Sequence, residues 1–417
     1  MSEGSAAQDV AHATTAAAAG TAAAVAGGWR RAGIAGAAIG VIAASAAAGV
    51  AVDRLTLSRT MRRRARLALD TAGPYGTLRG TPGRARADDG TELYYEIDPT
   101  DPTDAPDTAD SAGRADKAGA DGGPFTVVFS HGYCLNQDSW HFQRAALRGR
   151  VRTVHWDQRS HGRSGRGAGQ PATPVTIDQL GRDLKAVIDA AAPEGPLVLV
   201  GHSMGGMTVM ALADQYPGLI RERVAGVALV GTSSGRLGEI TYGLPTLGAG
   251  VARRVLPGVL KALGSQAGLV EKGRRATADL YAGVVKRYSF GGQDVDPAVA
   301  RFAERMIEST PIDVVAEFYP AFSAHDKAEA LAVLADTPAL VLAGTDDLIT
   351  PGSHSEAIAE VLPDAELVLI EGAGHLVMLE HPEAVTRHLT DLLARAGAPG
   401  FGRNVGGHGS TAPHPGR

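Results

Sequence analysis

At 417 residues, with 44% hydrophobic and 20% charged side chains, the chain has the composition of a globular protein holding one large or two modest domains. A formal net charge of −5, with no basic face interleaved with aromatics in the foldable part, argues against nucleic acid as a partner. The single cysteine, Cys134, excludes an intrachain disulfide and leans towards a reducing compartment.

Residues 1–28 are almost entirely Ala, Gly, Ser and Thr and are expected to be a disordered tail. Trp29-Arg30-Arg31 then precedes twenty-one uncharged residues, Ala32 to Val52, ten of them alanine and four glycine. Three readings stand for this stretch. A membrane or anchor helix over 29–54 fits the length, Trp29 at one edge, and Gly36 and Gly40 at G-x-x-x-G spacing. A cleaved signal fits the paired arginines ahead of an apolar run that ends in small residues. A surface or disordered alanine-rich helix needs nothing further. Arg54 follows the stretch, then Arg59, Arg62, Arg63, Arg64 and Arg66 in a basic linker over 55–74, against two arginines before the stretch. By the positive-inside bias, the rest of the chain lies in the cytoplasm, anchored or free, and simple secretion is disfavoured.

Tyr75 to Ile97 reads as two antiparallel strands, Thr77-Leu78-Arg79 and Leu93 to Ile97, joined by a turn at Asp89-Gly90. Residues 98–123, rich in Asp, Pro, Ala and Gly, are expected to be a disordered acidic surface insertion. Phe125 to Phe129 is the next strand and stops at Ser130-His131-Gly132-Tyr133. Val151 to Trp156 follows, leading into Asp157-Gln158-Arg159-Ser160-His161-Gly162-Arg163-Ser164, a tight loop whose Asp and Arg are expected to pair locally. Thr176-Ile177-Asp178-Gln179 fits a capping box, and Ile177, Leu180, Leu184, Val187 and Ile188 mark one apolar face of a helix ending near Ala192.

Pro196 to Val200 is a short apolar run of the kind buried on both faces of a parallel sheet. Gly201-His202-Ser203-Met204-Gly205 then fits G-x-S-x-G, and Met207 to Leu212 continues as a helix. Strand, sharp turn and helix is the context in which this motif lifts a serine hydroxyl to the end of a sheet and points the next amide at the same spot. Val224 to Val230 is another buried strand. Residues 236–336 break the alternation with helical stretches (Ala276 to Tyr288, Ala298 to Ser309, Ile312 to Phe318) and no clear strand. They read as an inserted helical lid, and their Leu, Val, Tyr and Phe suggest an apolar pocket. Ala339 to Ala343 and Glu366 to Ile370 are the last strands, leading into Gly344-Thr345-Asp346-Asp347 and Gly372-Ala373-Gly374-His375. A helix runs from Pro382 to about Ala396, with a disordered Gly/Pro-rich tail expected from Gly397 to Arg417.

A serine hydroxyl becomes a nucleophile when a histidine, itself oriented by a carboxylate, takes its proton. Ser203, an aspartate and His375 occur in that order, each just after a predicted strand, where loops converge at the carboxyl ends of a parallel sheet. The amides of Tyr133 and Met204 are candidate oxyanion donors, each worth about 3–4 kcal/mol of barrier in measured cases. His131 reads as a structural loop residue, and Cys134 as a packing residue. Neither a metal-ligand spacing nor a dinucleotide-binding glycine pattern is present, so no cofactor and no metal is implied.

Over residues 75–396 the chain resembles the α/β-hydrolase fold serine hydrolases. The resemblance runs through His131-Gly132, Asp157-x-Arg159-x-x-Gly162-x-Ser164, Gly201 to Gly206, Gly344-x-x-Asp347-x-x-x-Pro351 and Gly374-His375. It implies an α/β fold with a mostly parallel central sheet flanked by helices, in two core parts (75–235 and 337–396) around the lid. It also makes Ser203 the nucleophile, Asp347 rather than Asp346 the acid and His375 the base. The pattern departs at Ser160, where glycine is usual. Similarity is strongest to esterases, lipases and cofactor-free haloperoxidase relatives, and Ser203 argues against the aspartate-nucleophile epoxide hydrolases and haloalkane dehalogenases. The expected activity is hydrolysis of a small-molecule carboxylic ester with an apolar acyl or alcohol group. Perhydrolysis, thioester or carbon–carbon hydrolysis and acyl transfer use the same triad, and a non-catalytic binding relative is the remaining alternative.

Overall fold

A computed structural model describes residues 75–101, 123–167, 174–240, 278–292 and 295–402, with isolated positions between 254 and 265. The candidate membrane stretch 32–52, the tail 1–28, the linker 55–74 and most of the acidic insertion (102–122) lie outside the described residues. Among the described residues, no helix is long and apolar enough to cross a membrane.

Eight strands form one sheet: β1 (Thr81–Arg86), β2 (Glu92–Asp98), β3 (Thr126–Ser130), β4 (Arg152–Trp156), β5 (Leu197–His202), β6 (Val224–Val230), β7 (Ala339–Gly344) and β8 (Glu366–Ile370). Their order across the sheet is β1-β2-β4-β3-β5-β6-β7-β8. The first two strands are antiparallel, and β3 to β8 run parallel. Every side chain of β3, β5 and β7 is buried, as central parallel strands require, whereas β8 at the edge alternates. Along β5, Leu197 and Leu199 enter the apolar layer on one face, and Val198 and Val200 the layer on the other.

The first layer is closed by helices α2 (Ile177–Ala191) and α3 (Met204–Gln215), the second by α1 (His141–Leu147) and α10 (Pro382–Arg395). Helices α4 (Pro217–Arg223) and α8 (Gly352–Val361) complete the crossovers, and α9 (Val377–Glu380) is a single turn after β8. Between β6 and β7 come α5 (Ala278–Ser289), α6 (Pro297–Ser309) and α7 (Ile312–Ser323), with no strand among the described residues of that insertion. The chain runs outward from β3 to β4 and then returns to β5 on the other side. The carboxyl ends of β3 and β5 therefore flank a topological switch point, where such sheets bind ligands.

Three expectations need correction. The first strand lies at 81–86 and not at 77–79, because side chains take the polar groups of that segment. The Arg79 guanidinium donates to the carbonyls of Leu78 (2.6 Å) and Gly76 (2.8 Å), while the Gly80 amide donates to Glu96 (3.0 Å). The insertion expected from residue 98 begins later: Asp98 ends β2, fully buried, with its carboxylate 2.7 Å from Arg144 Nε. The tail expected from Gly397 is packed as far as Phe401, since Ala398 and Phe401 are buried in the second layer and the Arg150 guanidinium stacks 4.5 Å from the Phe401 ring. Residues 403–417 lie outside the described residues.

Candidate active site

Ser203 sits between β5 and α3 with φ 52° and ψ −118°, a left-handed backbone that costs a non-glycine residue about 1–3 kcal/mol. The surroundings enforce it. A Cβ on Gly205 would lie 2.2 Å from the Ser130 carbonyl oxygen, and one on Gly201 would lie 2.4 Å from that of Gly205. The same closeness sets the end of β3 against the start of α3, bringing together the segments that carry the Tyr133 and Met204 amides. The end of β6 buttresses the turn: Ser203 N donates to Val230 O (2.9 Å), and Thr232 Oγ1 donates to Ser203 O (2.7 Å).

His375 and Asp347 reach the serine from the loops after β8 and β7. Ser203 Oγ lies 3.0 Å from His375 Nε2, and His375 Nδ1 lies 2.8 Å from Asp347 Oδ2. The other aspartate oxygen accepts from the amides of Ile349 and Thr350, both at 2.8 Å. Thr350 Oγ1 lies 2.8 Å from Asp347 Oδ2 and 2.9 Å from Gly231 O, so its single hydrogen serves one or both. Burial by itself would raise the Asp347 pKa; attraction to His375 and hydrogen bonds from His375 and Thr350 outweigh it and hold the carboxyl below its usual range. Asp346, next in the chain, is exposed and forms no contact with His375 among its hydrogen bonds to Thr345 and Ala373.

Behind this row lies a buried polar layer that the sequence pattern does not resolve. His202 Nε2 donates to the His375 carbonyl at 2.9 Å. The His131 ring donates from Nδ1 to Gly132 O (2.7 Å) and accepts from the Gln158 amide at Nε2 (2.9 Å). Gln158 also bonds Thr208 Oγ1 (2.9 Å), which reaches Met204 O at 2.8 Å in the first turn of α3. Burial, reinforced by neighbouring histidines, pushes His131 and His202 down to about 3, and burial takes His161 to about 4, so all three are neutral. His131 therefore holds the loop between β3 and Tyr133 as a neutral strut. Of the expected local pairing in this loop, Asp157 meets the main chain of Arg163, and Arg159 turns elsewhere. Asp157 accepts the amides of Gln137 (2.8 Å) and Arg163 (2.9 Å), whereas Arg159 reaches across to Asp183 (2.6 Å) and Asp89 (2.7 Å). Ser160 takes φ 64°, the region that the usual glycine enters without cost. Cys134 is partly buried, and its amide donates to His161 Nε2 at 3.2 Å.

A cavity of about 360 Å³ opens onto Ser203, lined by Tyr133, Met207, Leu237, Gly238, Tyr288, Tyr319, Phe322, Ser323, Ile349 and Thr350. Helices α5 and α7 supply Tyr288, Tyr319, Phe322 and Ser323. The Tyr133 hydroxyl donates to Val315 O in α7 (2.5 Å), and the Tyr133 ring meets that of Phe322 edge-on at 4.9 Å. Among the described residues, none that lines the cavity carries a formal charge. The helix expected to end at Phe318 runs on to Ser323 and so carries Tyr319 and Phe322, and the composition of 236–336 points to an apolar pocket without showing which side chains face the serine. Among the described residues no group of three or more His, Cys, Asp or Glu is arranged to hold a metal ion.

A mostly parallel eight-stranded sheet with a serine on a strained strand–helix turn, backed by histidine and aspartate from later strand ends, defines an α/β-hydrolase architecture. The alpha/beta hydrolase fold family matches residues 126–382, and the chain belongs to that family. Among curated relatives, it is 27% identical over 279 residues to the dihydrolipoyllysine-residue acetyltransferase component of the acetoin cleaving system of Pseudomonas putida. That match covers 66% of this chain and 65% of the relative, just under two thirds of its length. An enol-lactonase from Burkholderia xenovorans LB400 superposes with a TM-score of 0.55 at 24% identity, over 75% of this chain and all (100%) of that one. A thermophilic esterase from Thermogutta terrifontis gives 0.53 at 23%, over 76% and 98%. At these identities the two structures speak for the fold alone.

Proposed function

We propose that this protein is a serine hydrolase acting on neutral carboxylic esters with an apolar acyl or alcohol group. The observation that carries the reading is the unbroken row Ser203–His375–Asp347, with 3.0 and 2.8 Å links, opening onto a cavity whose described lining is uncharged and includes the rings of Tyr133, Tyr288, Tyr319 and Phe322. In this mechanism His375 Nε2 takes the Ser203 proton as Oγ attacks the ester carbonyl. The Tyr133 and Met204 amides receive the oxyanion. Collapse of the tetrahedral intermediate breaks the ester bond, and His375 returns the proton to the leaving alcohol. Water, deprotonated by the same histidine, then releases the acid and restores Ser203. Asp347 keeps the imidazole in the tautomer with hydrogen on Nδ1 and stabilises its charged form. Helices α5 to α7 act as the lid that shields the cavity from water.

The bond geometry is shared by esters and lactones, and the neutrality of the described lining disfavours charged acids and amines. The test is labelling with a fluorophosphonate and hydrolysis of a series of p-nitrophenyl esters by wild type and Ser203→Ala. Loss of both in the variant is expected; equal labelling or turnover would overturn the assignment. For the uncharged stretch 32–52 we infer a membrane anchor with the hydrolase on the cytoplasmic side, on the strength of its length and the arginines that follow. Protease protection and membrane fractionation of the full chain decide this, and a full-length product found wholly in the aqueous fraction would refute it.

A further inference from the structure

The loop that carries His375 is held by something other than the triad. Its amides and those of the turn leaving α5 converge on one carboxylate, that of Glu380 at the end of α9. Glu380 Oε2 accepts from Gly374 N at 2.7 Å, one residue before His375. The Gly292 amide donates to Oε1 at 2.9 Å, and the Gly291 amide is shared between the two oxygens at 3.1 and 3.2 Å. Leu376 N, on the other side of His375, donates to Ser289 O at 2.8 Å. The two backbones touch. A Cβ on Gly374 would lie 2.4 Å from Gly291 N, and one on Gly291 would lie 2.3 Å from Gly372 O. Tyr288, which lines the cavity beside Ser203, is the residue before this clamp begins.

We propose that Glu380 is a positioning residue: by pinning the Gly374 amide it sets the reach of His375 to Ser203, and by holding Gly291 and Gly292 it ties the end of α5 to the same loop. This rests on the serine-hydrolase reading of Ser203 and His375. The physical reason is the strength of hydrogen bonds from amides to an ionised carboxylate, about twice that of neutral pairs, on a loop that otherwise has glycine at 372 and 374. Without the carboxylate, three amides lose their acceptor and the loop is free to shift. Displacement of a reacting group by about 1 Å is enough to cost on the order of a hundredfold in rate.

The experiment compares Glu380→Ala and Glu380→Gln with wild type on p-nitrophenyl acetate, with rates expressed per active site titrated by fluorophosphonate run to completion. Titration removes any change in the folded fraction, which is all that a merely structural role would move. Expected is a fall in kcat per titrated site of about ten- to a hundredfold for Ala, with KM changed by about twofold or less for this short ester. Gln keeps one acceptor oxygen but turns an NH₂ towards the remaining amides, so it should fall between, about three- to tenfold below wild type. Wild-type kcat per titrated site in both variants would overturn the proposal. If Glu380→Ala fails to fold, Glu380→Gln decides alone: a wild-type rate per site overturns it, and a reduced one supports it. Failure of the parent reading looks different, because Ser203→Ala would then keep its activity whatever the Glu380 variants do.

Discussion

His202 Nε2 donates to the main-chain carbonyl of His375 across 2.9 Å, so the residue just before the strained serine holds the loop that carries its proposed base. The two rings lie 4.8 Å apart, and burial keeps His202 neutral at a pKa of about 3. The strand-end serine and the distant histidine are thereby joined twice: through Ser203 Oγ to His375 Nε2, and through this backbone bond. Removing the donor leaves a buried carbonyl without it, at a cost of about 1–3 kcal/mol. His202→Leu should therefore reduce kcat between about fivefold and a hundredfold and lower the melting temperature, whereas His202→Gln, which retains an N–H donor, should recover part of both. Steady-state kinetics on p-nitrophenyl esters with parallel melting curves checks this, and a His202→Leu enzyme indistinguishable from wild type would contradict it.

Asp347 and Asp346 provide a contrast within one dipeptide. Asp347→Asn keeps the shape but turns an amide towards either His375 or the Thr350 amide, favouring the wrong imidazole tautomer, and kcat should fall by about 10³–10⁴-fold. Asp346→Ala, at an exposed position, should stay within about threefold of wild type. The reverse ranking would mean that the acid has been assigned to the wrong residue.

Acid should unfold this protein through its buried histidines. His131 and His202 titrate at about 3 and His161 at about 4 in the folded chain, against 6.5 when free. The unfolded chain therefore binds more protons below pH 6.5, and the stability these residues contribute is complete above that pH and lost as it falls towards 4. Asp157 works the other way: burial raises it from 3.8 to about 6, so acidification through that range stabilises the fold. These three rings against Asp157 leave a net loss of about 2–3 kcal/mol per pH unit between pH 6 and 4, and His155, which burial and the nearby Arg144 hold well below its ordinary value, adds to it. Melting curves should show a drop of about 10 °C or more from pH 7 to pH 5. A flat profile over that range would show that these rings are not held neutral.

Ser160 offers a stabilising change. Its φ of 64° places a Cβ where an L-residue loses about 1–2 kcal/mol, and its hydroxyl is buried without a hydrogen-bond partner among the described residues. Ser160→Gly relieves both at some entropic cost in the unfolded chain, and should raise the melting temperature by a few degrees with unchanged kcat. A lowered melting temperature would show that the serine is held there by a contact that glycine cannot replace.

The primary structure determined the parallel core, the serine turn and the order of the candidate triad. Runs such as Leu197 to Val200 have one stable home, a strand buried on both faces, and glycines 201 and 205 around Ser203 leave the chain few other turns. Ser203, an aspartate and His375 were legible because each comes shortly after a predicted strand and strand ends converge by topology alone, while the resemblance at Gly344-x-x-Asp347-x-x-x-Pro351 singled out Asp347 over Asp346. The partner of Arg159 is not local, since Asp183 is brought to it only by the docking of α2, and the chain just after Gly397 folds back because Phe401 finds an apolar layer and a guanidinium at Arg150. Periodicity shows which residues of α5 and α7 are apolar, but a helix has more than one neighbour. Only the three-dimensional packing decided that Tyr288, Tyr319 and Phe322 face Ser203, that His202 and Thr350 brace its partners, and that a single carboxylate at Glu380 gathers the amide of Gly374 and that of Gly291, which lies 89 residues before it along the chain. Hydrogen bonds and cavity walls between such distant segments depend on the relative placement of whole elements, and local sequence carries no term for that.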